Sequence, residues 1–188
     1  MSQHPPSQTS ARTSAQIDAL VESAARALFA THGLPLGELR ADFGLTPDDH
    51  DLASSVGFTG PEIRGALLMT TRQDLVELAW PAELRHQPPS ERDVCDWAGE
   101  LVNQLVGRVK NALVPFGLAL EQSTPTVVTG WHIHRTPAMT AIARRYLFDA
   151  GRGSIVLYFD AAVAEDFVLA RSPDETLLSA AEGDVQLF

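Results

Sequence analysis

Apolar residues recur along this chain with two different periods, and each change of period marks an element. From Asp93 to Val114 the sequence DVCDWAGELVNQLVGRVKNALV carries the longest strongly periodic run. At about 100° per residue, Trp97, Ala98, Leu101, Val102, Leu105, Val106, Val109, Ala112 and Leu113 fall on one side. That is the stripe of a helix packed on a core. A second helical run covers about Ala15 to Thr31. Its stripe is Ile17, Leu20, Val21, Ala24, Leu28 and Phe29, with Ser14 as N-cap and Gly33 as stop. Between and after these runs the period shortens. Strands are expected near Leu36–Phe43, then at Leu52–Phe58 and Ile63–Thr70 across the turn Thr59-Gly60-Pro61. TPDDHD (46–51) reads as a turn. Further strands are expected at Gly117–Gln122, Thr126–His134, Met139–Phe148 and Ser154–Asp160, the last two joined across Asp149–Gly153. Short helices are expected at Arg72–Trp80, stopped by Pro81, and at Ala161–Ala170.

The order of these elements repeats. A long helix, strands and a hairpin occur twice, with Gly33 set against Gly117 and Arg64-Gly65 against Arg152-Gly153. The expected domain covers residues 15–170 as two fused halves, about 15–84 and 93–170. They are joined by the Pro-rich linker 85–92, where Ser90 or Asp93 can cap the helix that follows. Neither half could cover its sheet alone, so one continuous core is expected. Residues 1–14 read as a disordered tail and 171–188 as an acidic one. The fold class is α/β (α+β), with two long, repeat-related helices.

Composition narrows the function classes. The net charge of -10 argues against nucleic acid as the main partner, because neutralising phosphates needs clustered Lys and Arg. No apolar run approaches the roughly 20 residues that span a bilayer, and the N-terminus has no secretory core segment. The one cysteine, Cys95, allows no internal disulfide, so the reading is cytoplasmic. Cys95 has no sequence neighbour that would activate it.

The chemistry lies on the other side of the 93–114 helix. Asp96, Glu100, Asn103 and Gly107 share a narrow band away from the core. A mid-helix Gly costs on the order of 1 kcal/mol against Ala, so Gly107 leaves a bare spot that helix stability does not require. It admits close approach of a ligand or another backbone. The band is equally what a solvated helix face offers. Gln104 is a rival amide nearer the core boundary. Lys110 is a surface charge that could steer an acidic partner, and Asp96 suits the positive end of a helix dipole. Under the repeat, Gln16 and Ala19 stand where Glu100 and Asn103 do, so at most one such site exists per chain. His132 and His134 alternate on an expected strand and could share a metal, but no third ligand stands at a diagnostic spacing.

Asp96, Glu100-x-x-Asn103, Gly107 and Lys110, followed by Ser123-x-Pro125-Thr126-Val127-x-x-Gly130, resemble the CheC/CheX/FliY family of chemotaxis phosphatases, and CheX most of all. GFTGPEIRGALLM (57–69) fits the family's first sheet motif. The resemblance covers about residues 15–170. It implies a CheC-like pseudo-symmetric fold with a mostly antiparallel sheet, and a dimer. It also implies an activity in two-component signalling: hydrolysis of the aspartyl phosphate of a CheY-like response regulator. Asn103 would then orient the attacking water, and Glu100 would pair with a cation of the regulator's site. Asp96, Gln104, Gly107 and Lys110 would lie at the contact. The chain would need no cofactor of its own, because the Mg2+ would belong to the regulator. The C-terminal LLSAAEGDVQLF, with Glu182, Asp184, Val185, Leu187 and Phe188, is similar in character to short acidic–hydrophobic peptides that capture CheY, and would raise its local concentration. The alternative function is a non-catalytic CheX-like module that docks on a regulator or scaffold.

Overall fold

The computed structural model describes residues 8–40, 49–84, 86–133, 135, 140–164 and 167–169. Helix α1 is Gln8–Thr31, followed by the short strand β1, Leu39–Arg40. Strands β2, Leu52–Thr59, and β3, Ile63–Thr71, form a hairpin. Helix α2 is Gln73–Leu78 and helix α3 is Glu91–Leu113. Strands β4, Glu121–Gln122, and β5, Thr126–Thr129, come next. A second hairpin of β6, Ile142–Asp149, and β7, Ser154–Val163, completes the sheet. Every pairing is antiparallel, in the order β1-β6-β7-β3-β2, with β4 and β5 both on the outer edge of β2.

The two hairpins meet along β3 and β7, whose register pairs Leu67 with Phe159 and Met69 with Leu157. Successive strand residues point to opposite faces. Ile63, Leu67 and Met69 therefore join Ile155, Leu157, Phe159 and Ala161 in one core with the stripes of α1 and α3. Phe58 stacks on Phe159 with ring centroids 5.2 Å apart. Gly65 lies opposite Ala161 at the closest approach of the central strands, and a Cβ there would sit 1.9 Å from the Asp160 carbonyl oxygen. The Tyr146 hydroxyl on β6 donates to Asp18 of α1 at 2.7 Å, and Arg144 lies 3.2 Å from the same carboxylate oxygen. The mixed α+β class with an antiparallel sheet is as the sequence implies.

Several boundaries differ from expectation, each for a tertiary reason. Helix α1 starts at Gln8, so Gln8–Ser14 is helical and Ser14 is not its cap. Thr13 is buried and accepts from the Leu169 amide, so the 167–169 segment secures these first turns. The expected strand from Leu36 begins only at Leu39, because Arg26 donates to the carbonyls of Leu36 and Gly37 at 2.8 and 2.7 Å. The expected strand from Gly117 shrinks to Glu121–Gln122. Gly117, at φ +82°, and the Leu118 amide close the end of α3 instead. Strand β5 stops at Thr129, where the Gly130 amide turns to Asp51, and His132 follows with φ +52°. The expected helix 161–170 is replaced at its start by strand, because β3 extends its ladder as far as Ile63↔Val163. The linker ends at Ser90 rather than Arg92. The expected strand end at 41–43, the first half of the 46–51 turn, Met139 and the 171–188 tail lie outside the described residues.

His50 is fully buried between the two hairpins. Its Nδ1 is 2.9 Å from the Thr70 hydroxyl and its Nε2 is 3.1 Å from that of Ser154. Burial holds its pKa below the usual value near 6.5, against the opposing pull of Asp49 and Asp51. As pH falls through about 6.5, the unfolded chain takes a proton at this ring that the folded chain refuses. Stability should therefore decline from that point downward until the folded-state pKa is reached. Urea midpoints measured from pH 8 to 5 check this. His50→Gln, which cannot titrate, should flatten the slope, and an unaltered slope would refute the assignment.

Candidate functional site

Helix α3 starts where the sequence can cap it. Ser90 and Asp93 form a reciprocal capping box: the Ser90 amide donates to Asp93 Oδ2 at 2.9 Å, and the Asp93 amide donates to Ser90 Oγ at 3.3 Å. The Ser90 hydrogen bonds hold the Asp93 carboxyl below its usual pKa. Both expected cap residues thus act together. Val94, Ala98, Leu101, Val102, Leu105, Val106, Val109 and Leu113 are buried. Trp97 sits at the edge of this stripe, with its indole N–H donating to the Ala79 carbonyl at 3.0 Å and its ring edge-on to His32 and Trp80.

The opposite face carries the candidate residues. Asp96 and Glu100 are exposed, while Asn103, Gln104, Gly107 and Lys110 are half-buried. Glu100 and Asn103 stand one turn apart, and each is held by an amide. Gln104 Nε2 donates to Glu100 Oε1 at 2.8 Å, and the Gln104 carbonyl oxygen in turn accepts from His32 Nε2 at 3.2 Å. Gln122 Nε2, on β4, donates to Asn103 Oδ1 at 2.7 Å. Gln104 is therefore tied to the pair rather than being a bystander. The spot at Gly107 is crossed by Gln122, whose Oε1 lies 3.9 Å from where a Gly107 Cβ would stand. Asp96 makes a wide contact with Arg92, at 3.8 Å, between two solvent-exposed side chains.

The Ser123-to-Gly130 stretch builds the floor beside this face. The Ser123 amide donates to the Gly57 carbonyl at 2.9 Å, and Ser123 Oγ accepts from the Gly57 amide at 3.0 Å. Pro125 and Val127 lie 3.4 Å from the place a Gly99 Cβ would take, so Gly99 lets this edge pack directly under α3. Phe58↔Gln122 register then delivers Gln122 to Asn103. Gln122 and His32 were not legible as site neighbours. Only the pairing of β4 with β2 and the packing of α1 on α3 bring them here, although Gln122 directly precedes the Ser-x-Pro-Thr stretch.

The other candidates form no site among the described residues. His132 lies beyond the end of β5, so strand alternation does not aim it with His134, which is outside the described residues. No group of three or more potential ligands forms a metal site among the described residues. The half-buried Cys95 thiol is pushed up by burial and by Glu91 and Asp96, away from a reactive thiolate. Among the described residues no helix is long and apolar enough to cross a membrane.

The family model described as chemotaxis phosphatase CheX matches residues 52–143, just under half of the chain and including all of α3. Solved structures share the fold. A CheC-like superfamily protein from Shewanella sp. PV-4 is 22% identical, with a TM-score of 0.65 over 78% of this chain and 97% of that one. The chemotaxis protein CheX from Vibrio vulnificus is 20% identical, with a TM-score of 0.64 over 78% of this chain and 99% of its own. The chain is similar to CheX proteins over residues 52–143 and in its fold. A more distant structure of the same fold, from the CheX–CheY–BeF3–Mg2+ complex of Borrelia burgdorferi, is 12% identical with a TM-score of 0.54. It covers 79% of this chain and 96% of its own. No curated protein sequence matches significantly.

Proposed function

We propose that this CheX-like protein removes phosphate from the aspartyl phosphate of a CheY-like response regulator, with the exposed face of α3 as its half of the reaction centre. The observation that carries the reading is the pair Glu100 and Asn103, one helical turn apart on that face and each oriented by an amide. Hydrolysis of an acyl phosphate needs a water in line with phosphorus while charge spreads over the phosphoryl oxygens. The catalyst's part is chiefly positioning. Asn103 orients that water without titrating. Glu100 keeps a second carboxylate oxygen for a regulator cation and so sets the register of docking. Gln104 steadies Glu100, and Gly107 keeps the helix face low. Asp96 and Lys110 flank the contact. The regulator supplies Mg2+, which neutralises phosphoryl charge, so the chain needs no metal of its own. The CheX–CheY–BeF3–Mg2+ complex from Borrelia burgdorferi supports a partner of this kind.

The same reading takes the chain as two fused halves, about 15–84 and 93–170, with a homodimer as the working assembly. The recurrence of helix, edge strand and hairpin supports the duplication. Only the second half carries the acid–amide pair, because Gln16 and Ala19 stand at the corresponding places in α1.

The test follows loss of phosphate from a CheY-type regulator charged with acetyl phosphate. Glu100→Ala should raise the regulator concentration needed for half-maximal rate about tenfold and also slow turnover. A charged hydrogen bond of this kind is worth about 1.5–3 kcal/mol. Rates for Glu100→Ala and Asn103→Ala equal to wild type would overturn the phosphatase reading and leave a docking module.

A further inference from the structure

Gln122 stands outside the helix that carries the pair, yet its side chain spans the step from Asn103 to Gly107. Its Nε2 reaches Asn103 Oδ1 at 2.7 Å. Its Oε1 lies toward Gly107, 3.9 Å from the position of an added Cβ. The residue is delivered by a two-residue edge strand whose register pairs Gln122 with Phe58. The next residue, Ser123, is bolted to the Gly57 backbone in both directions. Gln122 is half-buried.

We infer that Gln122 is a positioning residue for the phosphatase reaction: it holds the Asn103 amide so that one lone pair of Oδ1 is left for the attacking water. This rests on the function proposed above. An amide oxygen has two lone pairs and an amide nitrogen two donors. A free Asn side chain turns about its last bond and presents either end to a water, and only one end accepts a proton. An N–H from Gln122 selects the orientation with Oδ1 on the Gln122 side and occupies one of its lone pairs. The second lone pair can accept from the water O–H, leaving the water's own lone pair free for phosphorus. Donation into the carbonyl also polarises the amide, as in other hydrogen-bond chains. Glu100 takes no part in this contact, since it is held separately by Gln104. The bare Cα of Gly107 completes the seat, because a side chain longer than a methyl group there would displace the Gln122 amide.

The inference separates turnover from binding. Gln122→Ala should lower kcat about tenfold, the loss expected from one hydrogen bond that orders a reacting group. KM for an acetyl-phosphate-charged CheY-type regulator should stay within about twofold, because regulator docking does not need the Asn103 amide oriented. Asn103→Ala/Gln122→Ala should be no slower than Asn103→Ala alone, since Gln122 acts only through Asn103. Gln122→Glu places an acceptor against Asn103 Oδ1 at neutral pH and a donor once the carboxyl is protonated. Its kcat relative to wild type should therefore rise as pH falls toward about 4.3. The side-chain amide resonances of Asn103 report orientation independently of any regulator. They should be one sharp, slowly rotating pair in wild type and lose that order in Gln122→Ala, with an unchanged circular dichroism spectrum. If Asn103→Ala is slow while Gln122→Ala matches wild type, or if the double variant is slower than Asn103→Ala, the positioning role is refuted and the phosphatase reading stands. If Asn103→Ala is itself as fast as wild type, it is the phosphatase reading that fails.

Discussion

Asn103→Ala should lose about a hundredfold or more in the rate of regulator dephosphorylation while still folding and still binding the regulator. Alanine is the best helix former, and Asn103 is half-buried on the side of α3 away from the core, so the helix has no reason to suffer. The substitution removes the amide proposed to orient the water. Misplacing a reacting group by about 1 Å is enough to cost roughly a hundredfold. The proposed function assigns docking to Glu100 and its surroundings, so affinity for a beryllofluoride-charged regulator should change little. Single-turnover decay of phosphorylated regulator, together with that affinity, checks both halves of the expectation. A variant that loses binding and rate in proportion would make Asn103 a docking residue instead.

Gly65→Ala should be the most damaging small substitution for the fold. The added methyl group would stand 1.9 Å from the Asp160 carbonyl oxygen and 2.9 Å from the Ala161 Cα, both backbone atoms of the neighbouring central strand. No side chain can swing aside to relieve such a contact. Strands β3 and β7 would have to part where the two hairpins join, and the Phe58–Phe159 stack lies beside that point. Overpacking of this kind costs typically 1–3 kcal/mol and occasionally more, and the backbone clash places it at about 3 kcal/mol or above. For a domain of this size that lowers the thermal midpoint by roughly 6–12 °C. Thermal unfolding by circular dichroism decides it, and a midpoint within about 1 °C of wild type would contradict the close approach.

What could be read in advance follows from which interactions are local. The core stripe of α3, the Ser90 and Asp93 cap, and both hairpins are written in short-range periodicity and turn chemistry, and the structure forms them nearly at the expected places. Boundaries fail where distant residues decide. Arg26 takes the carbonyls that would have begun an earlier strand. Thr13 and Leu169, far apart in sequence, fasten the early start of α1. Strand β7 outruns a helical pattern because β3 offers it a ladder. At the candidate site, the spacing of Glu100, Asn103 and Gly107 was visible on a helical wheel. Their supports were not: Gln122 and His32 arrive through strand register and helix packing, which no window of sequence contains.

On the proposed function, α3 presents an incomplete reaction centre that a charged regulator covers. The most direct measurement titrates a CheY-type regulator, activated by beryllofluoride and Mg2+, into the isotope-labelled protein. Backbone and side-chain amide signals are followed throughout. The signals of Asp96 to Gly107, with the side-chain amides of Asn103, Gln104 and Gln122, should shift together on binding, while the Ala15–Ala27 face of α1 stays unchanged. Shifts centred on the exposed Trp131 and Val128, with α3 silent, would contradict it.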